Sequence, residues 1–160
     1  MKTASEWFDE YSVSHQNATN KTIHYIFVPL IFFSVIGLFA SIPIGGVSPN
    51  VPSFFFPYTH AGSILVAVGL IFYLRMSPSI FAGMLLISVL SLWGNHWLES
   101  HLNIPLWLCS GAIFVISWIF QFVGHQIEGA KPSFLKDLQF LLIGPAWILG
   151  KLYSNLGIPY

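Results

Sequence analysis

KTIHYIFVPLIFFSVIGLFAS, residues 21–41, decides the class of fold, because after Lys21 no Asp, Glu, Lys or Arg occurs until Arg75. A helix that crosses a bilayer needs about 20 mostly apolar residues, and this stretch supplies them. Residues 76–98 and 100–127 are equally free of charged side chains. Together these runs hold four spans, at about 21–41, 60–74, 79–97 and 104–126. The expected fold is all-α: a polytopic membrane helix bundle in one integral domain, residues 1–160. Short amphipathic or re-entrant helices flank it at both ends.

The rest of the composition agrees. Of 160 residues, 55% are hydrophobic and 8% charged, against about 25% charged in a typical soluble domain. The formal charge is zero, so nothing favours a nucleic-acid partner. The single cysteine, Cys109, excludes an intramolecular disulfide. The first twenty residues are polar and mildly acidic, without the basic start and apolar core of a cleavable signal peptide. The first apolar segment is therefore expected to stay in the mature protein.

Outside the spans, TASEWFDEYSVS (3–14) reads as a short amphipathic helix with Trp7, Phe8 and Tyr11 on one side, suited to a membrane surface. Asn20 reads as the N-cap of the first span. IPIGGVSPNVPSFFFPYTH (42–60) holds four prolines and two glycines, which makes it a loop or re-entrant hairpin. After Pro132, an amphipathic helix and a short apolar segment over 138–152 follow, too short to span securely. Trp93, Trp97, Trp107 and Trp147 read as interface-belt residues. Lys2, Lys21, Arg75, Lys131, Lys136 and Lys151 all fall on one side of this topology, and 42–59 and 98–103 carry no Lys or Arg. The positive-inside rule then places both termini in the cytoplasm.

That orientation sorts the six histidines. His15, His24 and His125 share the basic side, while His60, His96 and His101 lie about 30 Å away across the hydrocarbon core. In SWIFQFVGHQIEG (117–129), the side chains of Trp118, Gln121, His125 and Glu128 fall within roughly an 80° arc of one helix face. Ionisable groups at membrane depth are costly and mark function or a satisfied internal pair. Gly124 leaves room for close approach beside His125. In SHQNATNKTIH (14–24), one unbroken helix would point His15 and His24 in opposite directions. Asn17 and Asn20 favour a turn and a cap, so the chain folds back and the two imidazoles meet. Imidazole suits Zn, Cu, Fe and Ni, and two or three histidines with a carboxylate suit non-haem Fe(II).

Blander readings stand beside this one. Histidines near a membrane interface serve as hydrogen-bonded anchors, which would suit a non-enzymatic, lipid-organising protein or a metal or lipid carrier. Glu128 has an i+3 partner in Lys131. His96, Glu99 and His101 form a second, His-x-x-Glu-containing group that could hold another metal. A transporter predicts ionisable groups through the depth of the spans, which these spans lack, and no serine-hydrolase motif is present.

Tyr11-x-x-x-His15-x-Asn17-x-x-Asn20-x-x-x-His24, followed by Val28-Pro29, pairs with Trp118-x-x-Gln121-Phe122-x-Gly124-His125-x-x-Glu128 and Lys131-Pro132. The chain thereby resembles a family of small membrane proteins that includes the fungal 2-hydroxy fatty acid dioxygenase of phytosphingosine breakdown. It reads as a bacterial-type member, integral to the inner (cell) membrane. The resemblance implies Fe(II)-dependent α-oxidation, in which a 2-hydroxy fatty acid and O₂ give a fatty acid one carbon shorter. It implies His15, His24 and His125 as metal ligands, with Glu128, Gln121, Asn17 and Asn20 as polar companions in catalysis. Glu128 would either complete the metal's shell or orient an imidazole from outside it. The substrate's acyl tail would lie between the spans, the bilayer supplying both the substrate and a dry cavity.

Overall fold

The computed structural model describes residues 2–44, 53–129 and 140–160. Six α-helices occur among them: α1 (Ala4–Ser12), α2 (Ala18–Ala40), α3 (Ala61–Met76), α4 (Pro78–His101), α5 (Leu106–Glu128) and α6 (Ile143–Leu156). A 3₁₀ turn, Ser53–Tyr58, precedes α3. Local chemistry sets their limits. Thr3 and Glu6 close a capping box on α1, which satisfies its first free N–H groups. Ser77 both ends α3 and caps α4, with Pro78 at the first helical position, where a missing N–H costs nothing. Gly129, at φ 73°, ends α5 in the left-handed region that glycine enters freely.

The all-α expectation holds. α2, α4 and α5, at 23, 24 and 23 residues, are long and apolar enough to cross a membrane. α3 is apolar but has 16 residues, about 24 Å of helix, so the second of the four expected spans is shorter than a full crossing. What lies inside and outside is inverted relative to a soluble protein. Ser34, Ser88, Ser91, Asn95, Ser110, Ser117 and Gln121 are buried, whereas Ile64, Val68, Leu86, Val89, Ile116 and Ile119 face outward. Lipid tails are as apolar as leucine, so helices in a bilayer associate through small residues and interior hydrogen bonds. Asn95 does this by donating its Nδ2 to Phe33 O (3.1 Å) on α2. Gly37 allows it, because a Cβ there would overlap Asn95 Oδ1 and Ser110 Oγ.

α2 packs chiefly on α5, and α3 on α4. α1 and α6 close the end of the bundle where α2 begins and α5 stops: α1 contacts α6, which also reaches α4 and α2. Trp7 of α1 meets Phe72 near the end of α3 (6.5 Å between centroids), and Tyr153 of α6 donates to Ser79 O at 3.1 Å. Lys2, Lys21, Arg75 and Lys151 therefore share this end, as the charge sorting predicted. At the opposite end Pro43 bridges His60 and Tyr58 packs on His96.

Two expectations are corrected. Trp147 is not a belt residue: it is 1% exposed and donates its Nε1–H to Ser12 Oγ at 2.9 Å. Trp93, Trp97 and Trp107 are exposed as expected. Asn20 is not the N-cap of the first long helix. Asn17 is, its Oδ1 accepting from Thr19 N and Asn20 N, so the helix begins three residues earlier, at Ala18. The amphipathic segment after Pro132 and Lys131 itself lie outside the described residues. Of the 138–152 segment, Phe140 to Leu142 are followed by α6, whose first residues are nearly all buried. Tyr73 ties this stretch to α3 by donating from its hydroxyl to Leu142 O (2.8 Å). Tyr73→Phe is expected to cost about 1 kcal/mol of stability, the net worth of a hydrogen bond to a part-buried acceptor, read as a lower melting temperature in detergent.

Candidate metal centre

The N-terminal stretch turns as its asparagines predict. α1 ends at Ser12, residues 13–17 reverse the chain, and α2 carries His24 back towards His15. Their ring centroids are 4.2 Å apart. His125, one turn before the end of α5, completes the group at 5.5 Å from His15 and 5.1 Å from His24. All three are buried, and one ligand nitrogen from each lies within 4.8 Å of the other two. Among the described residues this is the sole group of three or more side chains that could hold a metal ion. His96, Glu99 and His101 form no second such group: His101 stacks on Trp97 and its Nδ1 bonds Trp97 O at 2.9 Å.

Two of the rings are set as metal ligands usually are, with one nitrogen tied to a fixed acceptor. His15 Nδ1–H donates to Tyr11 O (2.6 Å) and His24 Nδ1–H to Asn20 O (2.9 Å). Each carbonyl lies four residues back and selects the tautomer that leaves the Nε2 lone pair free. His15 Nε2 and His125 Nδ1 are buried without a hydrogen-bond partner. An orphaned polar atom at depth is expensive, and a bound cation would satisfy both. Three imidazoles are a donor set that suits first-row divalent metals. Burial pushes the His15 pKa down to about 4, opposed in part by the bond to Tyr11. At neutral pH the ring is therefore uncharged and able to donate its lone pair.

Glu128 stands apart from the rings. Its carboxylate accepts from Gln16 N (2.7 Å), Asn17 N (2.9 Å) and Asn20 Nδ2 (2.9 Å). It thus ties the end of α5 to the turn that presents His15 and His24. Asn20, fully buried, relays this anchor, since its own carbonyl holds His24. Gly124 makes room for it: a Cβ there would overlap Asn20 Oδ1. Gly124→Ala is expected to displace Asn20 and weaken metal affinity about tenfold, the lower range for loss of a supporting partner. Titration of the metal-free protein measures this directly.

Beside the histidines lies a pocket of about 400 Å³, part of it open, lined by Tyr11, Val28, Trp118, Gln121, Phe140 and Leu141 among others. Gln121 Nε2 is buried there without a partner. Trp118, Gln121 and His125 share the pocket as the helix-face reading predicted, whereas Glu128 turns to the α1–α2 connection. Sequence reasoning missed the parts played by Tyr11 and Trp147. The Tyr11 ring stacks on His15 at 4.1 Å and 8°, and Trp147 packs against it from α6 (5.2 Å). The i, i+4 spacing of Tyr11 and His15 was the available signal for the first. For Trp147 none existed, because the contacts that bury it, with Tyr11, Ser12, His15 and Tyr25, are all distant in sequence.

Comparison with known proteins adds identity to this geometry. Residues 1–156 match the profile of a family described as Mpo1-like, 2-hydroxy-palmitic acid dioxygenase. The chain is 30% identical over 151 residues to the 2-hydroxy-palmitic acid dioxygenase MPO1 of Saccharomyces cerevisiae, covering 92% of this chain and 78% of the yeast protein. No solved structure matches. With a match along nearly its whole length, the chain belongs to the Mpo1-like 2-hydroxy-palmitic acid dioxygenase family.

Proposed function

We propose that this protein is an Fe(II)-dependent dioxygenase that shortens 2-hydroxy fatty acids by one carbon at the basic end of its bundle. In the balanced reaction a 2-hydroxy acid and O₂ give the fatty acid one carbon shorter, CO₂ and water. The observation that carries this reading is the buried trio His15, His24 and His125 in a chain of this family. His15, His24 and His125 would hold a non-haem Fe(II), which would supply the redox chemistry with O₂.

The chain's own residues do the remainder. Tyr11 O and Asn20 O hold His15 and His24 with their Nε2 atoms presented. Glu128 works from outside the ligand set, since its oxygens already accept from the α1–α2 turn. Asn17 and Asn20 shape that turn and touch no substrate. Gln121, with a free buried N–H donor at the pocket wall, orients a substrate oxygen. Lys21, one turn before His24, attracts the carboxylate at the membrane surface. Val28, Ile31 and Phe140 keep bulk water from the reacting atoms. The basic end faces the cytoplasm, consistent with the positive-inside rule.

Anaerobic purification followed by elemental analysis is expected to find about one iron per chain. Incubation with O₂ and 2-hydroxypalmitic acid is expected to give the acid one carbon shorter, together with CO₂. Iron-free protein, or iron-loaded protein that leaves every 2-hydroxy acid untouched, would overturn the proposal. A lipid-organising protein with histidines as anchors predicts that first result.

A further inference from the structure

A second, narrow pocket, about 380 Å³ including the part that is open, lies deeper in the bundle between α2, α3 and α4. Phe32, Val35, Ile36, Val66, Gly69 and Leu141 form most of its wall, and its lining is almost wholly apolar. Leu141 also borders the pocket beside the histidines, so the two spaces share a wall residue. The α2 residues run on without a break: His24, Val28 and Ile31 border the first pocket, Phe32, Val35 and Ile36 the second. At 1.5 Å per residue, His24 to Ile36 spans about 18 Å along the helix.

The geometry points to this inner slot as the binding site for the acyl tail of the substrate. The assignment rests on the dioxygenase reading above and adds to it where the chain goes and what limits its length. The tail leaves the histidine pocket past Leu141 and runs along α2 towards Ile36. Carbon–carbon bonds of about 1.5 Å advance about 1.25 Å each along an extended chain, so the stretch of α2 from His24 to Ile36 matches the length of about fourteen carbons beyond the hydroxylated one. That length suits a long-chain acid. The slot belongs to the protein interior rather than to its lipid-facing surface, since Ile36, Val66, Gly69 and Tyr73 are all buried. Tyr73 fixes the shared-wall segment through Leu142 O.

Gly69 sets the bore. A Cβ on it would rest in ordinary contact, 3.5 Å from Leu142 Cδ2 and 4.0 Å from Tyr73 Cε2. The backbone thus tolerates a side chain, and a larger one fills the slot.

Two measurements test the assignment. The first compares kcat/KM for 2-hydroxypalmitic and 2-hydroxyoctanoic acids in Gly69→Leu and Val66→Phe. Each methylene kept from an apolar site costs about fourfold, so the ratio of long to short is expected to fall at least tenfold. An unchanged ratio in folded, iron-loaded variants overturns the tail site while leaving the dioxygenase reading intact. The second uses wild-type protein, needs no turnover, and decides the matter even where the variants fail to fold. A 2-hydroxypalmitic acid with a photoreactive diazirine at its tail end is expected to label the peptides around Val35–Ile36 or Leu65–Gly69. Labelling of outward residues such as Ile71, Leu86 or Ile116 instead overturns the assignment. Failure of the wild type to turn over any 2-hydroxy acid sinks the dioxygenase reading separately, and the labelling pattern still decides where the tail lies.

Discussion

His125→Ala is expected to release the iron and to lower turnover of 2-hydroxy acids more than 100-fold, beyond the loss that follows from removing a supporting group around a metal. The reason is positional. His15 and His24 come from one short stretch of chain, and His125 is the candidate ligand that α5 contributes. Without it two imidazoles face a pocket wall with no third donor, and a two-histidine site binds a divalent ion far less firmly. The effect belongs to the metal rather than to the fold, because α2 and α5 remain joined by the packing around Gly124 and by Glu128. Helical content by circular dichroism is therefore expected to be unchanged while iron content collapses. A variant that keeps both iron and turnover would remove His125 from the site.

Glu128→Ala is expected to lower metal affinity by about 10- to 100-fold and stability as well. Gln16 N, Asn17 N and Asn20 Nδ2 all lose their acceptor; the first two are exposed and can turn to water, whereas the buried Asn20 side chain left unpaired costs about 1–3 kcal/mol. Asn20, no longer anchored, stops fixing His24. Glu128→Gln separates this role from direct ligation. A glutamine oxygen still accepts hydrogen bonds at the turn, so a positioning role predicts substantial recovery of metal affinity. A carboxylate bound to iron predicts that Gln fails as badly as Ala. Isothermal titration of both variants with Fe(II) under anaerobic conditions distinguishes the two.

What could be read from sequence followed from the cost of placing charge in a bilayer. That cost keeps the twelve charged residues out of the middles of the apolar runs, which made the bundle legible and sorted His15, His24 and His125 to one end. The reversal between His15 and His24 was legible because Asn17 and Asn20 both favour non-helical backbone. Which of the two caps α2 was not, since either can do so locally. The choice is made by Glu128 and by the space at Gly124, which hold Asn20 inside the first turn. The burial of Trp147 was hidden for a similar reason: an apolar tryptophan near a chain end suits a membrane interface equally well. Its place is decided by Tyr11 and Ser12, more than a hundred residues earlier. The inner slot left no trace in the sequence, because a cavity is defined by what several helices fail to fill together.

The trio's split between the two ends of the chain also orders its birth. His15 and His24 leave the ribosome about a hundred residues ahead of His125, and the intervening helices must enter the lipid before α5 can lie along α2. On the proposed function, the nascent protein would hold no complete three-histidine site until α5 has packed on α2, so the metal would join last. A chain truncated before α5 would offer two of the three imidazoles and would be expected to hold a divalent ion far less firmly.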